Sequence, residues 1–155
     1  DYLLDAWKMM SKEEKMGKKL VIAGGDSHST SYYQSICEKA KEQEDIILTG
    51  FVEGKELAEL FSNSYLYVLP SDIEGMPISL LEAMSYGNTC LVSDIEENTS
   101  IINQESYSFK RSDVLDLKSK LAFLISKNIE THKKQYIFKT WEEVVDETLH
   151  IYKGL

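Results

Sequence analysis

"YLYVLPSDIEGMPISLLEAMSYGNTCLVSD", residues 65–94, decides how this chain folds. It opens on a short apolar run, 65–70, that Pro70 stops, and it closes on a second run, 89–94. Between them Ile78, Leu80, Leu81, Ala83 and Met84 recur with a helical period. That helix should start near Pro77, whose fixed φ suits a first helical position, and end near Gly87, a good terminator. Strand, helix and strand joined by short links imply parallel strands, because the chain must cross back before pairing again.

The same alternation extends in both directions. "KKLVIAGG" (18–25) and "DIILTGFV" (45–52) read as further strands, apolar enough to be buried on both faces. Helices are expected over 30–42 and 55–61. The chain opens inside an amphipathic helix, in which Leu3, Leu4, Trp7 and Met10 to Met16 keep a helical period with no strand in front. After Asp94 the pattern turns to a loop, a short strand at 107–109, then helices at 112–126 and 133–152 that should cap the sheet. The fold class is α/β, a Rossmann-like doubly wound parallel sheet with flanking helices, as one domain over 1–155. Function in such a sheet belongs at the carboxyl ends of the strands: 24–26, 50–52, 71–76 and 93–98.

Composition removes several functions. A net charge of −9 argues against nucleic acid and against a polybasic membrane anchor, since both need clustered positive charge. No apolar run has the length of a membrane span, and the first ten residues lack the basic start of a signal peptide, so a cytoplasmic location is expected. Cys37 and Cys90 stand far apart and read as free buried thiols. His28, His132 and His150 are scattered without a second ligand nearby and read as surface imidazoles, so no metal site is expected.

Two acids in the opening stretch ask for a ligand. Glu82 stands alone on an apolar helix, and Glu74 sits eight residues earlier on the preceding loop. Singly, each has an ordinary explanation: an ion pair or hydrogen bond to a neighbouring element for Glu82, and a favourable charge near a helix amino end for Glu74. Together they suggest more. A buried carboxylate needs a partner, and a pair of ribose hydroxyls is a suitable one. The helix start at 75–79 offers backbone N–H groups and a positive dipole, and Gly75 permits close approach by phosphate. Carboxylate for sugar and helix start for phosphate point to a sugar nucleotide.

With "LVIAGG", "GFV" at 50–52, "LPS" at 69–71, "EGMP" at 74–77, "LLEAMSYG" at 80–87 and "VSD" at 92–94 in this order, the chain resembles the carboxyl-terminal donor-binding domain of the family 4 (group 1) retaining glycosyltransferases, which have the two-Rossmann GT-B fold. The spacing Glu74, seven residues, Glu82 matches that family's signature. The likeness is close over 1–102 and holds only in outline beyond. It implies transfer of a sugar, with retained configuration, from a nucleotide-sugar to a glycan, lipid or cell-surface polysaccharide acceptor. Glu74 would contact the transferred sugar as the catalytic residue, and Glu82 would bind the ribose. Ser71, Gly75, Met76, Pro77, Ile78 and Ser79 would line the sugar and diphosphate. Phe51 and Val52 would bracket the base, and Gly24 and Gly25 would leave room for the donor. The nucleotide-diphosphate sugar is a co-substrate, and no cofactor is implied.

Departures from the pattern matter as much. Relatives hold the diphosphate with an Arg and a Lys from a strand and loop ahead of the first helix. Lys8 and Lys12 lie within that helix and do not take the role. The resemblance therefore places the first strand of the sheet, next to "KLVIAGG" and "YLYVLP", outside residues 1–155, together with the amino-terminal acceptor domain. The isolated chain should bind donor weakly and turn over little or nothing, and the parent protein would be cytoplasmic or peripheral at the inner membrane face. At 96–98 the turn is Glu-Glu-Asn, followed by Ser100, where many relatives have a glycine pair or Pro-Glu-Asn and then Glu. Asp94-x-Glu96 also has the spacing of the metal-binding motif of the other major glycosyltransferase fold, but that motif needs a nucleotide-binding amino-terminal half that this order of elements does not provide. A sugar-nucleotide epimerase of the same fold, and a non-catalytic Rossmann interaction module, remain the alternative readings.

Overall fold

A computed structural model describes residues 1–25, 30–102, 107–127 and 140–154. The elements run α1 (Tyr2–Lys8), α2 (Lys12–Lys15), β1 (Leu20–Ala23), α3 (Thr30–Ala40), β2 (Ile46–Gly50), α4 (Gly54–Asn63), β3 (Tyr67–Leu69), α5 (Ile78–Ser85), β4 (Cys90–Ser93), α6 (Glu96–Thr99), β5 (Ser108–Phe109), α7 (Val114–Ser126) and α8 (Trp141–Lys153). Every strand pairing between them is parallel. The alternation read in the sequence is therefore the alternation of the fold.

The sheet is not continuous. β1 pairs with β2 from Leu20 opposite Ile46 to Ala23 opposite Gly50, and β3, β4 and β5 form a separate three-stranded sheet. In that second sheet Tyr67 lies opposite Cys90, and Ser93 lies opposite Phe109. One expected doubly wound sheet is thus two, and the interruption falls between "KLVIAGG" and "YLYVLP".

β4 is the strand buried on both faces. Leu91 packs into a core with Leu4, Trp7, Ile46, Phe109, Leu117 and Leu121. Cys90 and Val92 point the other way, into a second core with Phe61, Leu80, Ala83, Met84 and Ile102. The alternation of side chains along a strand sends neighbours to opposite layers, so a strand apolar at every position belongs between two helical layers. β1 departs from that expectation. Leu20 and Ile22 pack against the first core, but Val21 is exposed, as is Ile47 beside it. α1 and α3 lie on the first face, while Phe61 of α4 joins the second core around α5 and β4.

Local chemistry accounts for other differences. The opening helix breaks at Ser11, whose hydroxyl accepts the Glu14 N–H at 3.2 Å while the Glu14 carboxylate accepts the Ser11 N–H at 2.7 Å. This reciprocal cap starts a new helix inside one periodic pattern. Behind it Lys15 pairs with Asp45 at 2.7 Å, and the Trp7 indole donates to the same carboxylate at 3.1 Å. Burial alone would push the Asp45 carboxyl up, but these partners together hold it below its ordinary value.

A helix over 96–99 occupies the loop expected after Asp94. α7 starts at Val114 rather than 112, capped by Asp113, which accepts from Leu115 and Asp116. α8 does not cap the sheet: all its described side chains are exposed. The first part of the helix expected over 133–152 lies outside the described residues, as do Asp26, His28 and His132. No helix among the described residues is long and apolar enough to cross a membrane.

Candidate functional site

The loop leaving β3 carries Glu74, and it is fastened at three successive residues. The Tyr2 hydroxyl, from α1, donates to the Pro70 carbonyl. The Ser93 hydroxyl, at the end of β4, donates to the Ser71 carbonyl. The Asp72 carboxylate accepts from Ser112 at 2.8 Å and lies 3.1 Å from the same Tyr2 hydroxyl, whose one proton it shares with the Pro70 carbonyl. Burial, together with the negative charge of Asp72, pushes the Tyr2 phenol up to about 12, so it remains a donor through neutral pH. Within the loop the Ser71 hydroxyl donates to Glu74 Oε1 at 2.5 Å, orienting the carboxylate that the sequence singled out.

The helix after this loop supplies the second acid. Pro77 is the N-cap of α5 rather than its first helical residue, and its carbonyl accepts the N–H groups of Leu80 and Leu81. At the far end, Gly87 takes a left-handed φ of 74°. Its N–H donates to Met84 O, and the Asn88 N–H donates to Ala83 O. This is the paired closure that a glycine allows past a helix terminus. Held at both ends, α5 buries Leu80, Ala83 and Met84 and leaves Glu82 half exposed. No ion pair engages Glu82 among the described residues, and its carboxylate is partly open to solvent rather than buried as its apolar neighbours suggest.

The two acids share a neighbour that the sequence did not single out. Tyr67, on β3, packs at a tilt against Phe61 with ring centroids 5.9 Å apart, and Phe61 in turn stacks on Tyr86 at 5.4 Å. Burial pushes the Tyr67 phenol up, a hydrogen bond with Ser79 opposes it, and smaller contributions from Cys90, Glu74 and Glu82 add to the rise. Its phenol therefore lies within the field of both acids, at the helix start. The only signal in the sequence is a hydroxyl on an otherwise apolar strand.

The helix start offers fewer donors than the run 75–79 suggests. Pro77 has no N–H, and that of Ile78 donates to Met76 O at 2.8 Å. Those of Gly75, Met76 and Ser79 reach no carbonyl among the described residues. Met76 and Ile78 present exposed side chains here.

At the other sheet, Gly24, Gly25 and Phe51 come together. The Gly24 N–H donates to Gly50 O at 2.9 Å, and Gly24 takes a φ of 139° that side-chain-bearing residues rarely adopt. A Cβ on Gly25 would stand 3.3 Å from the Phe51 nitrogen, tight enough to shift the Phe51 backbone. Phe51 is 76% exposed, an apolar ring standing in solvent, and Val52 follows half buried. Among the described residues no hydrogen bond joins this group to the Glu74 loop.

Asp94 and Glu96 line an acidic hollow with Asp72 and Ile73 of the Glu74 loop, Glu97 and Arg111. Asp94 there accepts the Arg111 N–H at 2.8 Å. Among the described residues no group of three acidic, histidine or cysteine side chains has metal-binding geometry.

Residues 1–139 match the family of glycosyl transferases group 1. The chain belongs to the group 1 glycosyltransferases. Among its relatives, an uncharacterised glycosyltransferase of Methanocaldococcus jannaschii is 28% identical, over 99% of this chain and 41% of its own length. The O-antigen chain mannosyltransferase B of Escherichia coli is 23% identical, over 99% of this chain and 42% of its own length. This glycosyltransferase chain thus spans about two-fifths of the relatives it matches.

The fold is shared with the catalytic domain of cholesterol-α-glucosyltransferase from Helicobacter pylori, at a TM-score of 0.68 and 20% identity, over 97% of this chain and 88% of that one. It is shared equally with the lipopolysaccharide outer core galactosyltransferase WaaB, at 0.69 and 20% identity, over 99% of this chain and 44% of that one. Both are GT-B glycosyltransferases, so the two-sheet α/β layer seen here is a Rossmann-like part of that architecture.

Proposed function

We propose that this chain is the donor-binding half of a retaining glycosyltransferase that moves a sugar from a nucleotide-sugar to an acceptor. The observation that carries the reading is the pair Glu74 and Glu82 on either side of the α5 start, neither of them ion-paired among the described residues. Glu82 takes the ribose hydroxyls, a bidentate use of a carboxylate. Glu74 takes hydroxyls of the transferred sugar and holds its anomeric carbon in line for reaction. The free N–H groups of Gly75, Met76 and Ser79, with the positive end of α5, face the diphosphate, while Phe51 and Val52 lie against the base and Gly24 and Gly25 keep the approach open.

Stabilising the departing diphosphate and an oxocarbenium-like centre is then the main catalytic task, and preorganised dipoles suit it. The cations opposite those dipoles come from chain outside these residues, with the first strand and the acceptor-binding domain. The break between the two sheets supports that reading, as does the two-fifths share of the relatives' length. Alone, the chain binds donor weakly and turns over little. The acceptors named for its relatives suggest a lipid-linked or polysaccharide acceptor for the whole protein.

The test is a panel of UDP-, GDP-, ADP- and dTDP-sugars offered to the full-length protein, with release of nucleoside diphosphate as readout. One of them should be consumed, the Glu74→Gln variant should be slower by about a hundredfold or more, as for loss of a group acting in the transition state, and the new linkage should keep the donor's anomeric configuration by NMR. Turnover by Glu74→Gln within about twofold of wild type, against the two to three orders of magnitude that such a group supplies, would remove Glu74 from the mechanism.

A further inference from the structure

The Glu74 loop is held from inside the fold by a string of hydrogen bonds that begins on α6. Asn98 and Ser93 are both 0% exposed. The Asn98 amide nitrogen donates to the Ser93 hydroxyl at 3.1 Å and to the Ser93 carbonyl at 3.4 Å. The Ser93 hydroxyl donates to the Ser71 carbonyl, and the Ser71 hydroxyl donates to Glu74. We propose that Asn98 and Ser93 are positioning residues for Glu74. The inference rests on the donor-site reading above for its catalytic consequence, but not for its geometry.

The direction of the string is fixed by proton count. A serine hydroxyl has one proton and two lone pairs. While Asn98 donates to the Ser93 oxygen, the single Ser93 proton is free to go only to an acceptor, and Ser71 O is the one it reaches. Both side chains are shut off from solvent, so no bulk water competes for these bonds. The Ser71 peptide is thereby fixed, and with it the hydroxyl that orients Glu74.

Burying an amide here costs stability that a leucine would not. Asn98 Oδ1 has no hydrogen-bond partner among the described residues, and an unpaired buried acceptor is unfavourable. What the polar side chain contributes at that position is its pair of bonds to Ser93. The four-residue helix α6 carries it: the Asn98 N–H closes on Ile95 O directly after β4, and the side chain reaches back to Ser93.

The experiment uses the full-length protein with Ser71→Ala, Ser93→Ala, Asn98→Leu and the double variant Ser71→Ala/Asn98→Leu. In crystal structures of Ser93→Ala and Asn98→Leu, the Glu74 carboxylate should leave the Ser71 hydroxyl; a carboxylate in its wild-type place overturns the proposal. With the nucleotide-sugar that the wild type consumes from the panel, each single variant should lose about tenfold in kcat, the scale of one oriented hydrogen bond, with little change in KM. The double variant should be no slower than the slower single one, because all three changes cut one string, and Ser93→Thr, which keeps the hydroxyl, should recover most of the rate. Multiplying losses would instead mark independent structural damage and overturn the proposal. Should Asn98→Leu fail to fold, Ser93→Ala cuts the same string with a smaller change. A wild type that consumes none of the panel counts against the function alone, and the Glu74 position still decides the proposal.

Discussion

Replacing Glu82 by Ala should weaken nucleotide binding by an amount that depends on the ribose hydroxyls. A hydrogen bond to a charged group contributes about 1.5–3 kcal/mol. Glu82 is half exposed, so the lower end applies, roughly 1.5 kcal/mol and hence about a tenfold loss in Kd. Thermal shift reads this directly. At a nucleoside diphosphate concentration of about a hundred times Kd, binding stabilises by roughly 2.7 kcal/mol. For a chain of this size each kcal/mol raises Tm by about 2–4 °C, which gives a shift of about 5–11 °C. A tenfold weaker variant at the same concentration retains about 1.4 kcal/mol and hence about 3–6 °C.

The control is the 2′,3′-dideoxy nucleotide. In wild type it should give the reduced shift, and in Glu82→Ala it should do no worse than the parent nucleotide, because the partner it lacks is already gone. The measurement needs UDP and GDP in parallel, since the base contacts proposed for Phe51 and Val52 would be mainly main-chain and would not single out one base. Equal shifts for wild type and variant would refute the assignment of Glu82. So would a loss equally large with and without the hydroxyls.

The remaining expectations concern stability. Asp45 is held below its ordinary value of 3.8 by Lys15 and Trp7, so its contribution is complete above that value and fades as pH falls through the depressed folded one. Asp45→Asn should cost about 1.5–3 kcal/mol at pH 7, and urea unfolding should show the gap to wild type closing below about pH 4; a gap constant down to pH 2 would contradict the pairing. Leu91, fully buried on the central strand, should cost about 2–5 kcal/mol on change to Ala, read as a lower urea midpoint with an unchanged slope. The same change at exposed Leu115 should shift the midpoint little.

What the sequence made legible was whatever repeats locally. Runs such as "CLVS" and the helical period of 78–85 are short-range patterns, and both elements stand where those patterns put them. The Glu74–Glu82 spacing is equally local, because loop and helix are continuous. The break at Ser11 escaped because a polar face hides a cap: its partner Glu14 looks the same whether it points to solvent or back to Ser11. α8 shows the reverse. Its periodic apolar positions were visible, but periodicity says that a helix has a face to bury and not what will cover it.

The features that hold the candidate site were illegible for a different reason. The loop 70–74 is pinned by Tyr2, Ser93 and Ser112, residues separated from their partners by 68, 22 and 40 positions. Nothing near Pro70 or Asp72 announces these partners, since a tyrosine on a helix and a serine at a strand end have many uses. They converge only because parallel strands place all their carboxyl ends on one edge, so that the start of α1, the end of β4 and the turn before α7 meet at the loop after β3. That arrangement fastens the loop between Pro70 and Pro77 by hydrogen bonds from distant parts of the chain. Glu74 can then remain half exposed while the residues just before it, Pro70 to Asp72, are held by groups drawn from three other parts of the chain.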